Sequence, residues 1–164
     1  MGFGDEPLAY FLTWTVYGTF LQGDARWWRK RRSGVRPPQP LLERWHRQRL
    51  KHSIVLLDPT HRGLVEREIE RHCDHRNWKL WAVNARTNHV HVVVSASRCS
   101  GRTVRDQLKA NCTRVLRESD ERFVGRPVWS VGGDWKCLNS EDELAIAIDY
   151  VLNAQDKMDR KRRR

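Results

Sequence analysis

The segment TNHVHVVVSAS, residues 87–97, constrains the fold of this 164-residue chain more than any other. Valine is β-branched and favours extended backbone, and side chains at positions i and i+2 of a strand lie on the same face. His89 and His91 therefore share one face of a predicted strand, and the alternate valines share the other. This segment predicts a sheet with a buried apolar face and an opposite face that carries imidazoles.

Two other segments are predicted to be strands. YFLTWTVYGTF, residues 10–20, alternates and is rich in aromatic and β-branched residues, so it predicts a first strand that ends near Gly18. WKLWAVNART, residues 78–87, runs directly into the histidine segment. The junction contains Thr87 and Asn88, residue types common in turns, which predicts an antiparallel pair.

One amphipathic helix is predicted before this strand pair in the sequence, and another is predicted after it. The first has Asp58 as its N-cap and Pro59 at its first position, and the second follows Gly101. Their apolar stripes are Val65, Ile69, His72 and Cys73 in the first helix, and Val104, Leu108, Cys112 and Val115 in the second. Arg102, Arg105 and Lys109 fall opposite the second stripe, on a face that is solvated unless DNA lies there.

The C-terminal part predicts a hairpin and a third helix. VWSVGGDWKCL, residues 128–138, has two strand-like pieces around a Gly-Gly-Asp turn sequence. The following helix begins with Ser140 and Glu143 at capping-box spacing. Its apolar stripe consists of Leu144, Ala147, Ile148, Val151 and Leu152.

This order of elements predicts an α+β fold. It resembles a ferredoxin-like or RRM-like sandwich, with a mostly antiparallel sheet, helices on one side and a C-terminal helix that bears a tyrosine. We expect a single domain over residues 1–156 and a basic tail over 157–164. A basic insertion at about 25–52, with ten Lys or Arg and one acidic residue, is interrupted by SGVRPPQP and predicts no single regular element.

The charge balance favours a polyanionic partner. The chain has 31 Lys and Arg against 20 Asp and Glu, a formal charge of +11. Nucleic acid is favoured over a membrane, because no segment approaches the roughly 20 apolar residues that a span requires. The first residues, MGFGDEPLAYF, lack a basic segment followed by an apolar one, so we expect no secretory signal and a cytoplasmic, nucleoid-associated protein.

The cysteines predict neither a zinc ribbon nor a disulfide framework. All four are widely spaced, without a C-x-x-C pair, which is typical of reduced thiols in a cytosolic protein. HCDH, residues 72–75, contains three potential ligands, but no second ligand cluster accompanies it. Part-buried polar residues are the favoured interpretation of this motif.

Two imidazoles on one strand face suit an open metal site. Neutral imidazoles can hold a divalent ion and leave positions at which a phosphate oxygen binds and is polarised. The H-x-H pattern alone leaves two interpretations, a pair of metal ligands or a pair that is merely structural or exposed to water.

A phosphodiester reaction at such a site also requires a nucleophile. The phenols of the chain are Tyr10, Tyr17 and Tyr150. On an ideal helix Tyr150 falls roughly 130° from the centre of the apolar stripe, so it is not simply a core residue. A phenol is a poor nucleophile at neutral pH, but a nearby cation favours the phenolate. A tyrosine on a helix surface is the alternative interpretation.

Several segments together resemble a known family. RTNHVHVVV resembles the His-hydrophobic-His signature of the HUH single-tyrosine transposases, and WSVGGDWKCLNSEDELAIAIDYVLNAQ resembles the last elements of their REP-associated branch. TWTVYGTFLQGDARW and KANCTRVLRE add to the match, which spans about residues 9–155 in the order of the family.

The resemblance implies a ferredoxin-like nuclease domain that nicks single-stranded DNA at the foot of a hairpin. In that chemistry a tyrosine attacks the phosphate, which leaves a 5′-phosphotyrosine intermediate and a free 3′-OH. Carried over by position, Tyr150 is the nucleophile and His89 and His91 are the metal ligands. The family and phosphoryl chemistry both imply Mg²⁺ or Mn²⁺ rather than a closed zinc site.

The third metal ligand has two candidates. Related enzymes often take a polar ligand one turn after the nucleophile, where this chain has Ala154. On an ideal helix Asn153 lies about 60° from Tyr150 and Gln155 about 140° away, so geometry favours Asn153. A break in the helix would favour Gln155, and both stay candidates.

Candidate DNA contacts combine cations with aromatic rings. RWWRKRR begins at Arg26 and contains Trp27, Trp28, Arg29 and Lys30, which could bind phosphates and stack on unpaired bases. Packing in a loop or core is the alternative for the tryptophans. Arg86, Arg105 and Lys109 complete the set of candidates.

The expected partner is single-stranded or hairpin DNA, bound by a monomer or a homodimer. A noncatalytic DNA- or RNA-binding module of the same fold is the alternative function. A nuclease in which water attacks at the histidine site is a third hypothesis, and it has no need of Tyr150.

Overall fold

A computed structural model describes residues 6–26, 28–30 and 34–154 of the chain, without the side chains of 28–30 and 154. Its centre is a four-stranded antiparallel sheet in the order β4-β5-β1-β6. The strands of this sheet are β1 (Ala9–Thr15), β4 (Lys79–Ala85), β5 (His89–Ser95) and β6 (Asp134–Leu138). The helices are α1 (Pro40–Gln48), α2 (Pro59–His75), α3 (Gly101–Ser119) and α4 (Glu141–Asp149).

The main core lies between one face of the sheet and the two long helices. Val90, Val92 and Val94 of β5 are fully buried there, against the alternate residues of β1. The predicted stripes of α2 and α3 face this core, except that Leu116 replaces the half-buried Val115. The predicted cap is also confirmed, because the Asp58 side chain accepts a hydrogen bond from the backbone N–H of His61.

The last helix packs on the opposite face of the sheet. A second apolar cluster joins Ala147 of α4 and Val151 to Ala9, Ala82, Val93 and Leu138 of the sheet. The predicted α+β class with a mostly antiparallel sheet is confirmed, and α2 and α3 share one side. The tyrosine-bearing helix covers the other side, the one that carries the histidines.

The hairpin predicted within residues 128–138 is wrong. Both pieces pair with the first strand, since Thr13 lies opposite Asp134 and Val16 forms a bridge with Trp129. The three residue steps from Thr13 to Val16 therefore lie opposite five residue steps from Trp129 to Asp134. The extra residues of the second segment bulge out of the sheet. Gly133 makes the bulge possible, because its φ is +123° and a Cβ there would lie 2.7 Å from the Thr13 carbonyl oxygen.

The prediction that Arg105 and Lys109 lie on an open face of α3 is also wrong, because both side chains bind the bulge. Arg105 is buried and donates from Nη1 to the carbonyl oxygen of Gly133 at 2.6 Å. Lys109 donates from Nζ to the carbonyl oxygens of Ser130 and Gly132, at 2.9 and 2.6 Å. Both cations hold the bulge in place, because carbonyl oxygens accept strong hydrogen bonds from charged donors.

The basic insertion forms short elements, as its composition predicts. A two-stranded sheet pairs β2 (Trp28–Lys30) with β3 (Gly34–Arg36), and α1 follows. The basic tail at 157–164 lies outside the described residues. Within the described part of the chain, no helix has the length and apolar character that a membrane crossing needs.

Candidate active site

The two histidines of β5 lie together on the face covered by α4. Their ring centroids are 4.7 Å apart, with the ring planes at 77°. His91 is 7% exposed and His89 is half-buried. The predicted i, i+2 arrangement is therefore confirmed, and the pair is partly sheltered from water.

Hydrogen bonds to neighbouring residues fix both imidazoles. His89 Nδ1 lies 2.6 Å from Asn88 Oδ1, which can only accept, so Nδ1 carries the proton and Nε2 carries the lone pair. His91 Nδ1 lies 2.9 Å from the hydroxyl of Thr13, its cross-strand partner. When Nδ1–H donates to that hydroxyl, Nε2 of His91 also carries the lone pair. This is the second-shell arrangement that orients histidine ligands of metals.

The electrostatic environment of His91 keeps it neutral. Burial lowers its pKa to about 3, and the charge of Arg86, together with that of His89 whenever His89 is protonated, acts in the same direction. The neutral imidazole is the form that binds metal ions. The donor set therefore fits a divalent ion held by two imidazole nitrogens.

Tyr150 is the third member of the arrangement. Its ring centroid lies 5.7 Å from that of His91, with the planes at 83°. Phe11 stacks on His91 at 5.4 Å with an interplanar angle of 8°, and lies 6.0 Å from Tyr150 in an edge contact. Tyr150 is half-buried, and its hydroxyl forms no hydrogen bond with another described residue. The predicted nucleophile and both predicted ligands are thus brought together.

A change of helix type occurs at the tyrosine. The α-helix ends at Asp149, and Tyr150–Ala154 forms a single π-helical turn. Such turns have i to i+5 hydrogen bonding and occur frequently at functional sites. The Asn84 side chain of β4 donates to the carbonyl oxygen of Val151 at 2.9 Å and ties this turn to the sheet.

Of the two candidates for a third metal ligand, Asn153 belongs to the described residues and Gln155 does not. Asn153 is exposed, and its Nδ2 donates to Asp149 Oδ1 at 2.9 Å, along the helix. Gln155 lies outside the described residues. Among the residues that the structure describes, no cluster of three or more His, Cys, Asp or Glu side chains could hold a metal. A metal at the histidine pair would therefore keep open coordination positions.

The predicted DNA contacts are dispersed over the molecule. Arg86 is half-buried next to the histidines, where its charge reaches His91. Arg26 is paired with Asp24 at 2.6 Å, and Arg105 and Lys109 hold the bulge. Trp27 and the side chains of Trp28, Arg29 and Lys30 lie outside the described residues.

The HCDH motif has the structural role that its sequence favours. His72 Nε2 lies 2.9 Å from Gln107 Oε1, a contact between α2 and α3. Burial raises the pKa of the Cys73 thiol to about 12, so this thiol stays protonated. All four cysteines are free.

The sequence reasoning missed the residues that orient the site. Thr13, Phe11 and Asn84 all touch the histidines or the π-helical turn. Alternation in the first strand could have placed Phe11 and Thr13 on one face, opposite the apolar Leu12 and Trp14. The partner strand, however, has to be known before that face can be matched to His91.

The chain has the fold of known transposases. A REP-associated tyrosine transposase bound to a REP hairpin aligns with a TM-score of 0.53 at 12% identity, covering 93% of this chain and 69% of that one. A protein described as a candidate transposase from Deinococcus radiodurans R1 aligns with a TM-score of 0.51 at 16% identity, covering 93% of this chain and 95% of that one. No family model and no curated protein matches the sequence. The resemblance drawn from the motifs is confirmed at the level of the fold.

Proposed function

We propose that this chain is a metal-dependent DNA strand transferase of the HUH single-tyrosine type, related to the REP-associated transposases. The observation that carries the proposal is the 5.7 Å separation between the rings of Tyr150 and His91, beside His89, in a fold shared with two transposases. A tyrosine next to a pair of neutral imidazoles is suited to nucleophilic attack on a phosphodiester.

The reaction proceeds by transfer of a DNA phosphate to the tyrosine. The Tyr150 oxygen forms a bond to phosphorus as the bond from phosphorus to the 3′-oxygen breaks. The phenol proton is lost to water, and the departing oxygen takes up a proton to become a 3′-OH. The product is a 5′-phosphotyrosine link, which a 3′-OH of another strand can resolve by the reverse chemistry.

His89 and His91 hold Mg²⁺ or Mn²⁺ in this proposal, with Asn153 or Gln155 as the third ligand. The bound ion supplies Lewis-acid polarisation of the phosphate and favours the phenolate. The residues of the chain do the rest: Thr13 and Asn88 orient the imidazoles, and Phe11 packs against both His91 and Tyr150.

Single-stranded DNA with a hairpin is the proposed substrate. The formal charge of +11 favours a polyanion, and one of the two structural neighbours is bound to a REP hairpin. Arg86 is the best-placed cation for the phosphate, since its charge acts on His91. A protein with this substrate works on chromosomal DNA in the cytoplasm.

The covalent intermediate provides the test. Incubation with Mn²⁺ and a pool of labelled hairpin oligonucleotides with randomised single-stranded flanks should give a protein–DNA adduct that survives denaturing electrophoresis. Tyr150→Phe should abolish the adduct, because a phenyl ring has no nucleophile, while hairpin binding stays within about 2-fold. Tyr17→Phe is the matched control, a half-buried phenol outside the site, and should retain the adduct.

Other outcomes distinguish the alternatives. An undiminished adduct in Tyr150→Phe contradicts the assignment of the nucleophile. Cleavage without protein attachment, dependent on His91 but not on Tyr150, identifies a hydrolytic nuclease. Binding without any cleavage, unaffected by chelation or by His91→Ala, identifies a noncatalytic binding module.

A further inference from the structure

A cavity of about 540 Å³ lies beside the histidine pair, across β1 from the tyrosine. Its floor includes Thr13 and Thr15, the cross-strand partners of His91 and His89. Thr13 also contacts His91 directly through its hydroxyl. The cavity therefore adjoins the candidate active site through Thr13, and its volume falls within the roughly 300–1,000 Å³ of pockets for small organic ligands.

The walls of this cavity are mostly apolar and exposed. Phe20 comes from the segment after β1, Val35 comes from β3 in the basic insertion, and Val131 comes from the bulge before β6. Val131 is fully exposed, and Phe20 is 40% exposed. Exposed apolar and aromatic side chains around a concave site suit a flat ring such as an unpaired nucleobase, which stacks on them.

The cation on the described lining is already neutralised. Arg26 binds the carboxylate of Asp24 through Nε and Nη2, at 2.7 and 2.6 Å, and lies over the Phe20 ring at 5.0 Å. This ion pair lowers the pKa of Asp24, so the carboxylate stays charged. Among the described lining residues no cation is therefore left unpaired, and Arg26 with Phe20 forms a stacking platform.

A carboxylate completes the lining. Asp134 lies opposite Thr13 on β6, so Asp134, Thr13 and His91 form one row across three strands. Neighbouring strands are about 4.8 Å apart, which puts the backbone of Asp134 about 10 Å from that of His91. Asp134 is exposed, and its carboxylate forms no hydrogen bond or ion pair with another described residue. Its oxygens can only accept, so they favour a base that presents an amino group.

The bulge that carries Val131 is held rigidly. Arg105 and Lys109 bind the carbonyl oxygens on both sides of Val131, at Ser130, Gly132 and Gly133. A wall that is fixed before the ligand arrives lowers the entropic cost of binding.

We propose that this cavity binds one unpaired nucleotide adjacent to the phosphate at the histidine site, and that Asp134 selects an amino-bearing base, cytosine rather than thymine among pyrimidines. Cytosine has an amino donor at the ring position where thymine has a carbonyl acceptor, which an aspartate repels. This inference rests on the proposed function for the identity of the ligand as DNA.

Two labelled homopolymers, dC12 and dT12, provide the test by fluorescence anisotropy. The full chain with Tyr150→Phe is used throughout, so that covalent capture does not distort the affinities. We expect dC12 to bind roughly 5- to 10-fold more tightly than dT12, the discrimination of one hydrogen-bonded contact to a base. Asp134→Asn should reduce this ratio to about 2-fold or less, because the amide can donate to thymine as well as accept from cytosine.

Asp74→Asn is the matched control, an exposed aspartate on α2 away from the cavity, and should leave the ratio unchanged. The proposal is overturned if the wild-type cavity gives no preference. It is also overturned if Asp134→Asn strengthens binding of dC12 and dT12 equally, because a uniform gain reports only the loss of a negative charge near phosphates.

Phe20→Ala separates the stacking platform from base selection. Loss of the ring should weaken both homopolymers about 10-fold, within the range of one lost base stack, and leave their ratio intact. No weakening would contradict the assignment of the cavity.

The outcomes distinguish a failure of the cavity proposal from a failure of the proposed function. Absence of any covalent adduct from wild-type protein contradicts the strand-transfer chemistry but leaves a base preference measurable. A covalent adduct without a preference that depends on Asp134 contradicts the cavity alone.

Discussion

At the scale of single residues, the hydrogen-bond partners of the histidines decide what the pair can do. A bare pair of imidazoles could be protonated, exposed or turned towards each other. Asn88 and Thr13 instead bind Nδ1 of His89 and of His91, and burial lowers the pKa of His91 to about 3. The two side chains are thereby oriented as neutral ligands, before any ion arrives.

The contact between Thr13 and His91 leads to a specific prediction. Thr13→Val removes the hydroxyl and keeps the shape, so His91 loses the group that orients its ring. Loss of a second-shell partner typically costs about 10- to 100-fold in metal affinity or activity, and we expect a loss of that size in Mn²⁺ affinity measured by calorimetry. Thr13→Ser, which keeps the hydroxyl, should restore most of it. Equal affinities for the valine and serine variants would show that the contact is not used.

Residue identities at the site were largely predictable from sequence. His89 and His91 follow from strand alternation, and the motif resemblance points to Tyr150. The partners Thr13 and Asn84 were not predictable, because each belongs to a strand whose register with β5 is set by tertiary pairing. Local patterns specify which face a residue takes, but not which residue lies opposite.

At the scale of elements, the π-helical turn at Tyr150–Ala154 is the feature that positions Tyr150, the proposed nucleophile. A π-turn disrupts the regular hydrogen-bond ladder of a helix, so a backbone carbonyl there gains from an outside donor. Asn84 is that donor for Val151, and it is also the cross-strand neighbour of His91. One side chain thus connects the strand that carries His89 and His91 to the turn that begins at Tyr150.

Asn84→Ala tests this connection. We expect the rate of adduct formation to fall roughly 10- to 100-fold, since a displacement of about 1 Å can cost that much, with hairpin affinity unchanged. Asn111→Ala is the matched control, because the amide of Asn111 also donates to a backbone carbonyl, at 2.8 Å, but within α3. Single-turnover rates of adduct formation at saturating DNA distinguish Asn84→Ala from Asn111→Ala. A loss of hairpin affinity in Asn84→Ala, with the rate retained, would contradict a positioning role.

The wrong hairpin prediction has a physical cause that also limits what the pattern of α4 can predict. Gly132 and Gly133 followed by Asp134 are typical of a hairpin turn, yet the pieces on either side both pair with the first strand. Likewise, the stripe of α4 indicates a buried face but not the side of the sheet on which it is buried. In both cases the local pattern is correct and its partner is chosen by long-range contacts.

At the scale of the whole molecule, helices pack on both faces of the sheet, and the two faces have different roles. One face packs against α2 and α3 and forms the larger apolar core. The other packs against α4 and carries the histidines, with a smaller cluster beneath them. This arrangement explains why β5 combines an apolar run with two imidazoles: one side of the strand stabilises the fold, and the other holds the site.

Two adjacent valines of β5 lie on opposite faces of the sheet, so their truncation tests the two faces separately. Val92 lies in the larger core and Val93 lies beneath α4, and both are fully buried. Truncation of either to alanine removes two methyl groups and leaves a cavity, so we expect a loss of about 2–3 kcal/mol in the free energy of unfolding, measured by urea denaturation. A domain of ordinary stability, about 5–15 kcal/mol, remains folded after such a loss.

The rate of adduct formation should separate the two variants although their stabilities fall together. Val93 lies opposite Phe11, which stacks on His91 and contacts Tyr150, so its truncation loosens the packing between ligand and nucleophile. We expect Val93→Ala to slow adduct formation roughly 10-fold or more, and Val92→Ala to leave the rate within about 2-fold. Equal slowing in both variants would contradict this separation of the two faces. It would mean that β5 transmits a packing defect on either face of the sheet to the site.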